Sequence, residues 1–225
     1  MRKIYLLLLL CSGFTNRDCL AQPFSLLKDI NTISSTANGS RPSNLTEING
    51  ITFFIASTPE TGFELWKTDG TAMGTSLVKD IYIGSTGSNP QELTNVNGTL
   101  FFVALDADHA SELWKSDGTA AGTVLVRDIY PGGSSSPQSL ININGTLFFS
   151  ATDAGNGWEL WKSDGTDGGT MLLKDIYAGT GGSGPQFLTN VNGTLFFMAE
   201  DAVNGGELWK TDGTITGTVM VKNIY

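Results

Sequence analysis

One octapeptide occurs four times in this chain, and no other feature narrows its possible folds so far. Glu-Leu-Trp-Lys-Thr-Asp-Gly-Thr at 64–71 returns at 112–119, 159–166 and 207–214 with only Thr and Ser exchanged at its fifth place, so the starts lie 48, 47 and 48 residues apart. A fixed period of this length denotes repeat architecture, in which units too small to bury a core alone stack on their neighbours.

Inside each repeat the signals are those of short strands. Asn-Gly at 49–50, 97–98, 144–145 and 192–193 separates two β-like runs, and that dipeptide supplies the two positive φ angles of a type I′ hairpin turn. Before it stands a run such as Leu93 to Val96. After it stand Thr99 to Ala104, Thr146 to Ala151 and Thr194 to Ala199, apolar on both faces as a strand between two layers requires. A variable loop leads to the Glu-Leu-Trp-Lys strand, followed by an Asp-Gly-Thr turn and a second Gly-Thr. A last strand of the type Ser76-Leu77-Val78-Lys79-Asp80-Ile81 ends the unit, and no window carries the 3.6-residue period of an amphipathic helix.

Four short strands per unit predict an all-β fold, a β-propeller-like array of four-stranded blades. The repeats fall near 31–81, 82–129, 130–176 and 177–224. A β-solenoid and a string of separate hairpin domains are the competing readings. Ser25-Leu26-Leu27-Lys28-Asp29-Ile30 matches the last strand of a repeat, which predicts one leading strand and an array that forms part of a longer propeller. A strand exchange closing a four-bladed ring is the alternative.

Residues 1–21 read as a secretory signal peptide: Arg2 and Lys3 precede the apolar run Ile4 to Cys11, and Cys19-Leu20-Ala21 sets small residues before a cut at Gln22. Export to the medium or the outer cell surface follows, and no other stretch is apolar enough for a transmembrane helix. Both cysteines lie in that leader, so the remainder has no thiol for a disulfide or a metal. Without residues 1–21 the formal charge moves from −9 to −11, a balance that disfavours nucleic acid and anionic membranes.

The octapeptide, followed by Gly-Thr-x-Leu-Val-Lys-Asp-Ile and Asn-Gly-Thr-Leu-Phe-Phe, resembles the bacterial ELWxxDGT repeat family over residues 25–225. The resemblance implies an exported bacterial repeat protein, often long, often from Bacteroidetes-like organisms and often carrying a C-terminal sorting domain, which these residues do not show. It assigns no reaction to any position.

The repeated Trp66, Trp114, Trp161 and Trp209 are expected between blades, and Asp69, Asp117, Asp164 and Asp212 in Asx-type turns. Lys67, Lys115, Lys162 and Lys210 are expected on solvated blade surface. Alternating strands put the Asn-Gly and Asp-Gly-Thr turns on one face of the array and the variable loops with the Gly/Ser-rich connectors on the other. Loops that differ on a repeated scaffold are where binding is expected. Asp106, Asp108, Asp153, Glu200 and Asp201 are therefore the candidate ligand-binding residues.

Asp106 and Asp108 alternate as calcium ligands do, so calcium is the one possible cofactor, although the spacing is not that of an EF-hand. His109 is the only histidine, and no nucleophile motif accompanies it, so no catalytic residue is assigned. The expected function is non-enzymatic binding of an extracellular protein or glycan. The alternatives are an enzyme acting on extracellular polysaccharide through paired carboxylates and a passive spacer array.

Overall fold

The computed structural model describes residues 25–32 and 39–224, so the leader expected at 1–21 lies outside the described residues. The first sheet holds β1 (Ser43–Ile48), β2 (Ile51–Thr58), β3 (Gly62–Thr68) and β4 (Ser76–Lys79). The second holds β5 (Gln91–Val96), β6 (Thr99–Asp106), β7 (Ala110–Ser116) and β8 (Val124–Arg127). The third holds β9 (Gln138–Ile143), β10 (Thr146–Asp153), β11 (Gly157–Ser163) and β12 (Met171–Lys174). The fourth holds β13 (Gln186–Val191), β14 (Thr194–Asp201), β15 (Gly205–Thr211) and β16 (Val219–Lys222). Each sheet is an antiparallel meander in sequence order, and the described residues contain no helix. Neighbouring blades meet along their first strands, β1 against β5, β5 against β9 and β9 against β13.

Asn49 and Gly50 have φ of 53° and 82°, and Ile48 pairs with Ile51 across them. The other three Asn-Gly turns repeat this geometry. Each first strand also carries a β-bulge, with its second residue (Asn44, Glu92, Ser139 or Phe187) at φ between 52° and 58°. Such bulges sharpen local twist.

The double phenylalanine of the second strand explains how blades stack, because successive side chains point to opposite faces. Phe53 lies on the trailing face of the first blade with Ile48, Leu65, Val78 and Ile81, against Leu100, Phe102, Ala104 and Trp114 on the leading face of the second. Val96, Phe101, Leu113, Val126 and Ile129 meet Leu147, Phe149, Ala151 and Trp161 in the same way. Ile143, Phe148, Leu160 and Leu173 meet Leu195, Phe197, Ala199 and Trp209. Every blade thus offers two unlike faces, trailing against leading.

Two expectations need correction. Ser25–Ile30 is not a strand. Fourth strands pair with the third strand of their own sheet, as β4 does with β3, and no such partner flanks this segment among the described residues. It nonetheless occupies the place of a preceding blade's fourth strand: Lys28 Nζ donates to Thr75 O at 2.6 Å and Ile30 packs on the cluster of Phe54, Ala56 and Trp66.

The octapeptide lysines are not simply solvated. Lys67, Lys115 and Lys162 donate to the carbonyls of Gly118, Gly165 and Gly213 in the next blade, at 2.7–2.9 Å. Lys79, Arg127 and Lys174 likewise donate to Thr123, Thr170 and Thr218. Carbonyls at turns, left without strand partners, are satisfied this way.

Candidate functional site

The Asp-Gly-Thr turn is self-contained. Asp69 Oδ1 accepts from Thr71 N at 2.9 Å and from Thr71 Oγ1 at 2.7 Å, and Thr71 Oγ1 accepts from Gly74 N. A Cβ at Gly74 would fall 1.9 Å from Asp69 Oδ1, which accounts for the glycine of the second Gly-Thr pair. Asp117, Asp164 and Asp212 hold identical turns.

On the other face, the loop between second and third strands lies across the connector to the next blade. A Cβ at Gly62 would meet Gly87 N at 2.6 Å, and Trp158 bridges to Gly182. In three of these loops an aspartate ends the second strand and caps the turn. Asp106 Oδ1 accepts from the N–H of Asp108 and His109, with His109 Nδ1 at 2.9 Å from Oδ2. Asp153 accepts from Gly155 N, Asn156 N and Asn156 Nδ2, and Asp201 from Val203 N, Asn204 N and Asn204 Nδ2. In the first blade Thr58 and Thr61 replace that pair.

Asp106, Asp153 and Asp201 therefore stand at one position of successive blades and spend their oxygens shaping turns. The side chains offered outward are the two residues at each tip: Pro59 and Glu60, Ala107 and Asp108, Ala154 and Gly155, Ala202 and Val203, all exposed. Glu200 is exposed beside the last tip. The candidate carboxylates are distributed one loop per blade. Among the described residues no three His, Cys, Asp or Glu side chains converge to hold a metal.

Half-buried aromatic rings share this face. Tyr82, Tyr130 and Tyr177 open the connectors, and Trp158 is the second residue of β11. The Tyr130 ring lies against Gly133 and the Tyr177 ring against Gly181.

Sequence reasoning missed the acid beneath these loops. Glu64, Glu112 and Glu159, the first residues of the octapeptide, are fully buried. Glu64 accepts from Tyr82 N at 3.2 Å, Ser88 N at 2.8 Å and Ser88 Oγ at 2.5 Å. Glu112 takes Ile129 N, Ser135 N and Ser135 Oγ, and Glu159 takes Tyr177 N, Ser183 N and Ser183 Oγ. Each serine belongs to the next blade: Ser88 O accepts from Leu105 N, Ser135 O from Thr152 N and Ser183 O from Glu200 N. The signal available in the sequence was a Ser-x-Pro in every connector (Ser40, Ser88, Ser135, Ser183), recurring in step with the glutamate.

Burial raises the carboxyls of Glu64, Glu112 and Glu159 above the usual 4.5, against the pull of these hydrogen bonds. The hydrogen bonds from Thr71 and its counterparts lower Asp69, Asp117, Asp164 and Asp212 below 3.8. A carboxyl raised in the fold keeps its proton longer there than in the unfolded chain, so stability falls as pH climbs from 4.5 through the raised values. The lowered aspartates act oppositely, and their contribution disappears as pH drops below 3.8. Thermal unfolding followed by circular dichroism should give the highest Tm near pH 4 to 5, between those two windows, with a decline toward pH 8.

Notches between blades open on the turn face. One of about 160 Å3 is lined by Asn144, Phe148, Lys162, Gly193 and Asp212, and one of about 130 Å3 by Asn49, Phe53, Lys67, Gly98 and Asp117. Their lysines are already bonded to Gly213 and Gly118.

These four meandering sheets define a β-propeller-type array. No family model matches the chain, nor does any curated protein. Among solved structures it is similar to puromycin hydrolase, with a TM-score of 0.55 at 14% identity over 82% of this chain and 29% of the hydrolase. A mutant of that hydrolase in complex with a ligand aligns with a TM-score of 0.51 at 15% identity, over 78% of this chain and 27% of the other. The Bacteroides ovatus xyloglucan-locus protein GH43B aligns at 0.41 and 15% identity, over 80% and 40%. The chain spans less than a third of the hydrolase's length, and at such identities the likeness is one of fold alone.

Proposed function

We propose that this chain is an exported, non-enzymatic binding module of the ELWxxDGT repeat kind, which takes an extracellular glycan on its variable loop face. One observation carries the reading: a capped turn stands at the same place in all four blades, held by aspartate in three and by Thr58 in the first, and its exposed tips are unlike, with Glu60, Asp108, Gly155 and Val203 at matching places. A rigid scaffold that varies only its tips is the arrangement of a recognition surface. Trp158 and the connector tyrosines add part-exposed rings to a face that also carries exposed carboxylates, and rings and polar groups together suit the apolar faces and hydroxyls of sugars. Asp106, Asp153 and Asp201 are committed to their turns, which argues against these three as a free acid–base pair for glycoside hydrolysis.

Calorimetric titration against a panel of extracellular polysaccharides tests the reading. Binding should saturate, and Trp158→Ala or Asp108→Ala should each weaken it about tenfold, equivalent to about 1.4 kcal/mol. Unchanged affinity in both variants would remove this face from consideration, release of sugar products would replace the binding role with an enzymatic one, and saturable capture of a protein instead would change the ligand class. Repeating the titration with calcium and with chelator decides whether Asp106 and Asp108 recruit the ion.

A further inference from the structure

The four hairpin turns share one geometry but not one chemistry. Asn49, Asn97, Asn144 and Asn192 stand at φ of 51–53° and the glycines after them at 82–88°. In each turn the glycine N–H is taken by the side chain two residues before the asparagine. In three turns the acceptor is an amide oxygen: Gly98 N, Gly145 N and Gly193 N donate to Oδ1 of Asn95, Asn142 and Asn190 at 2.9 Å. In the first it is a carboxylate, with Gly50 N donating to Oε1 of the exposed Glu47 at 2.5 Å.

The difference matters because an asparagine before glycine can lose its side-chain amide. The glycine nitrogen attacks Cγ and must give up its proton to do so, and a carboxylate can take that proton where an amide oxygen cannot. The amide to be expelled is also held least in the first turn. A Cβ at Gly98 of the second blade would stand 3.0 Å from Asn49 Nδ2, and the equivalent contacts of Asn97 and Asn144 are closer. Asn144 Nδ2 further donates to Gly193 O. The notch of about 130 Å3 lined by Ile48, Asn49 and Gly98 admits water to the site. Asn156 and Asn204 also precede glycine, but Asp153 and Asp201 hold their amides.

We infer that Asn49 deamidates in the folded chain with Glu47 as its base, which makes the first hairpin turn a site of self-modification. Gly50 N bonds to Asn49 Cγ as its proton passes to the Glu47 carboxylate. That proton goes on to Nδ2, the Cγ–Nδ2 bond breaks, and ammonia leaves behind a five-membered succinimide. Water then opens the ring at either carbonyl, giving aspartate or isoaspartate at position 49. Isoaspartate routes the main chain through the side chain and adds a methylene to the turn that pairs Ile48 with Ile51. Either product removes the amide that rests on Gly98. The boundary between the first and second blades is therefore the one that loosens with age, whatever ligand the variable loops take.

Mass spectrometry of peptides from the folded full chain, aged in mildly alkaline buffer, reads the conversion of each hairpin asparagine. Asn49 should convert about tenfold faster than Asn97 or Asn144, less than a positioned base supplies in an enzyme because the turn must open for the attack. Glu47→Gln should bring Asn49 to within about twofold of the other two, and Asn95→Glu should raise Asn97 to about the rate of Asn49. Glu47 and Asn95 are exposed, so far-ultraviolet circular dichroism should show the wild-type fold in both variants. In urea, where the turn and its hydrogen bond are lost, the three rates should become equal. Equal rates in the folded wild type overturn the inference, as does a rate at Asn49 that Glu47→Gln leaves unchanged or an excess at Asn49 that persists in the unfolded chain.

Discussion

Replacing Glu112 by alanine should lower stability by about 3 kcal/mol, measured by urea denaturation near pH 5. The change leaves Ile129 N, Ser135 N and Ser135 Oγ without their acceptor in the interior. Each buried donor so abandoned costs about 1–3 kcal/mol, and the relief of no longer burying a carboxyl offsets part of the sum. Glu112→Gln keeps one acceptor and fills the space, so it should cost only about 1–2 kcal/mol. It also removes one of the three carboxyls raised by burial, so the decline in stability toward pH 8 should become shallower. An alanine variant within 0.5 kcal/mol of wild type, roughly the scatter of neutral surface changes, would show that the connector is not held through this residue.

Trp114→Ala should be at least as damaging, at about 3–5 kcal/mol. The indole closes the boundary between first and second blades with Leu100, Phe102 and Ala104 against Phe53, Leu65 and Val78, and Lys79 Nζ lies 5.7 Å from its ring centre. Its Nε1–H is buried and has no partner among the described residues. Phenylalanine at this position would therefore forfeit some contact but also remove an unpaired donor, and its cost should remain below about 2 kcal/mol. Equal losses for Ala and Phe in calorimetric unfolding would contradict that account of the indole.

The parts of this fold that were legible in the sequence are those where one residue type is needed at one place. Asn49-Gly50 declares a hairpin because two consecutive positive φ angles admit few alternatives, and Asp69 with Thr71 declares a closed turn because its hydrogen bonds are local. The double phenylalanine announced a doubly covered strand. The bulge in each first strand was silent, since Asn44, Glu92, Ser139 and Phe187 share no chemistry.

Contacts to backbone carbonyls were silent for a different reason. Lys67 reaches Gly118 O across 51 positions, and a carbonyl has no residue signature, so the lysine read as solvated. Ser25–Ile30 had the composition of a strand, but pairing needs a neighbour, which composition does not supply. In the candidate site, Asp106, Asp153 and Asp201 read as acids available to a ligand. The His or Asn three residues later (His109, Asn156, Asn204) marks the turn that occupies them.

The trailing-to-leading polarity of every blade boundary bears on how such a gene can grow. One period of about 47 residues contains one trailing face, with its lysines and glutamate, and one leading face, with its glycine and threonine carbonyls and its serine. Tandem duplication or loss of a whole period therefore recreates a boundary that is already optimised, and no compensating substitution is required elsewhere. Array length can drift between descendants while the packing at each joint is inherited intact, and selection is left free to work on the two residues at each loop tip.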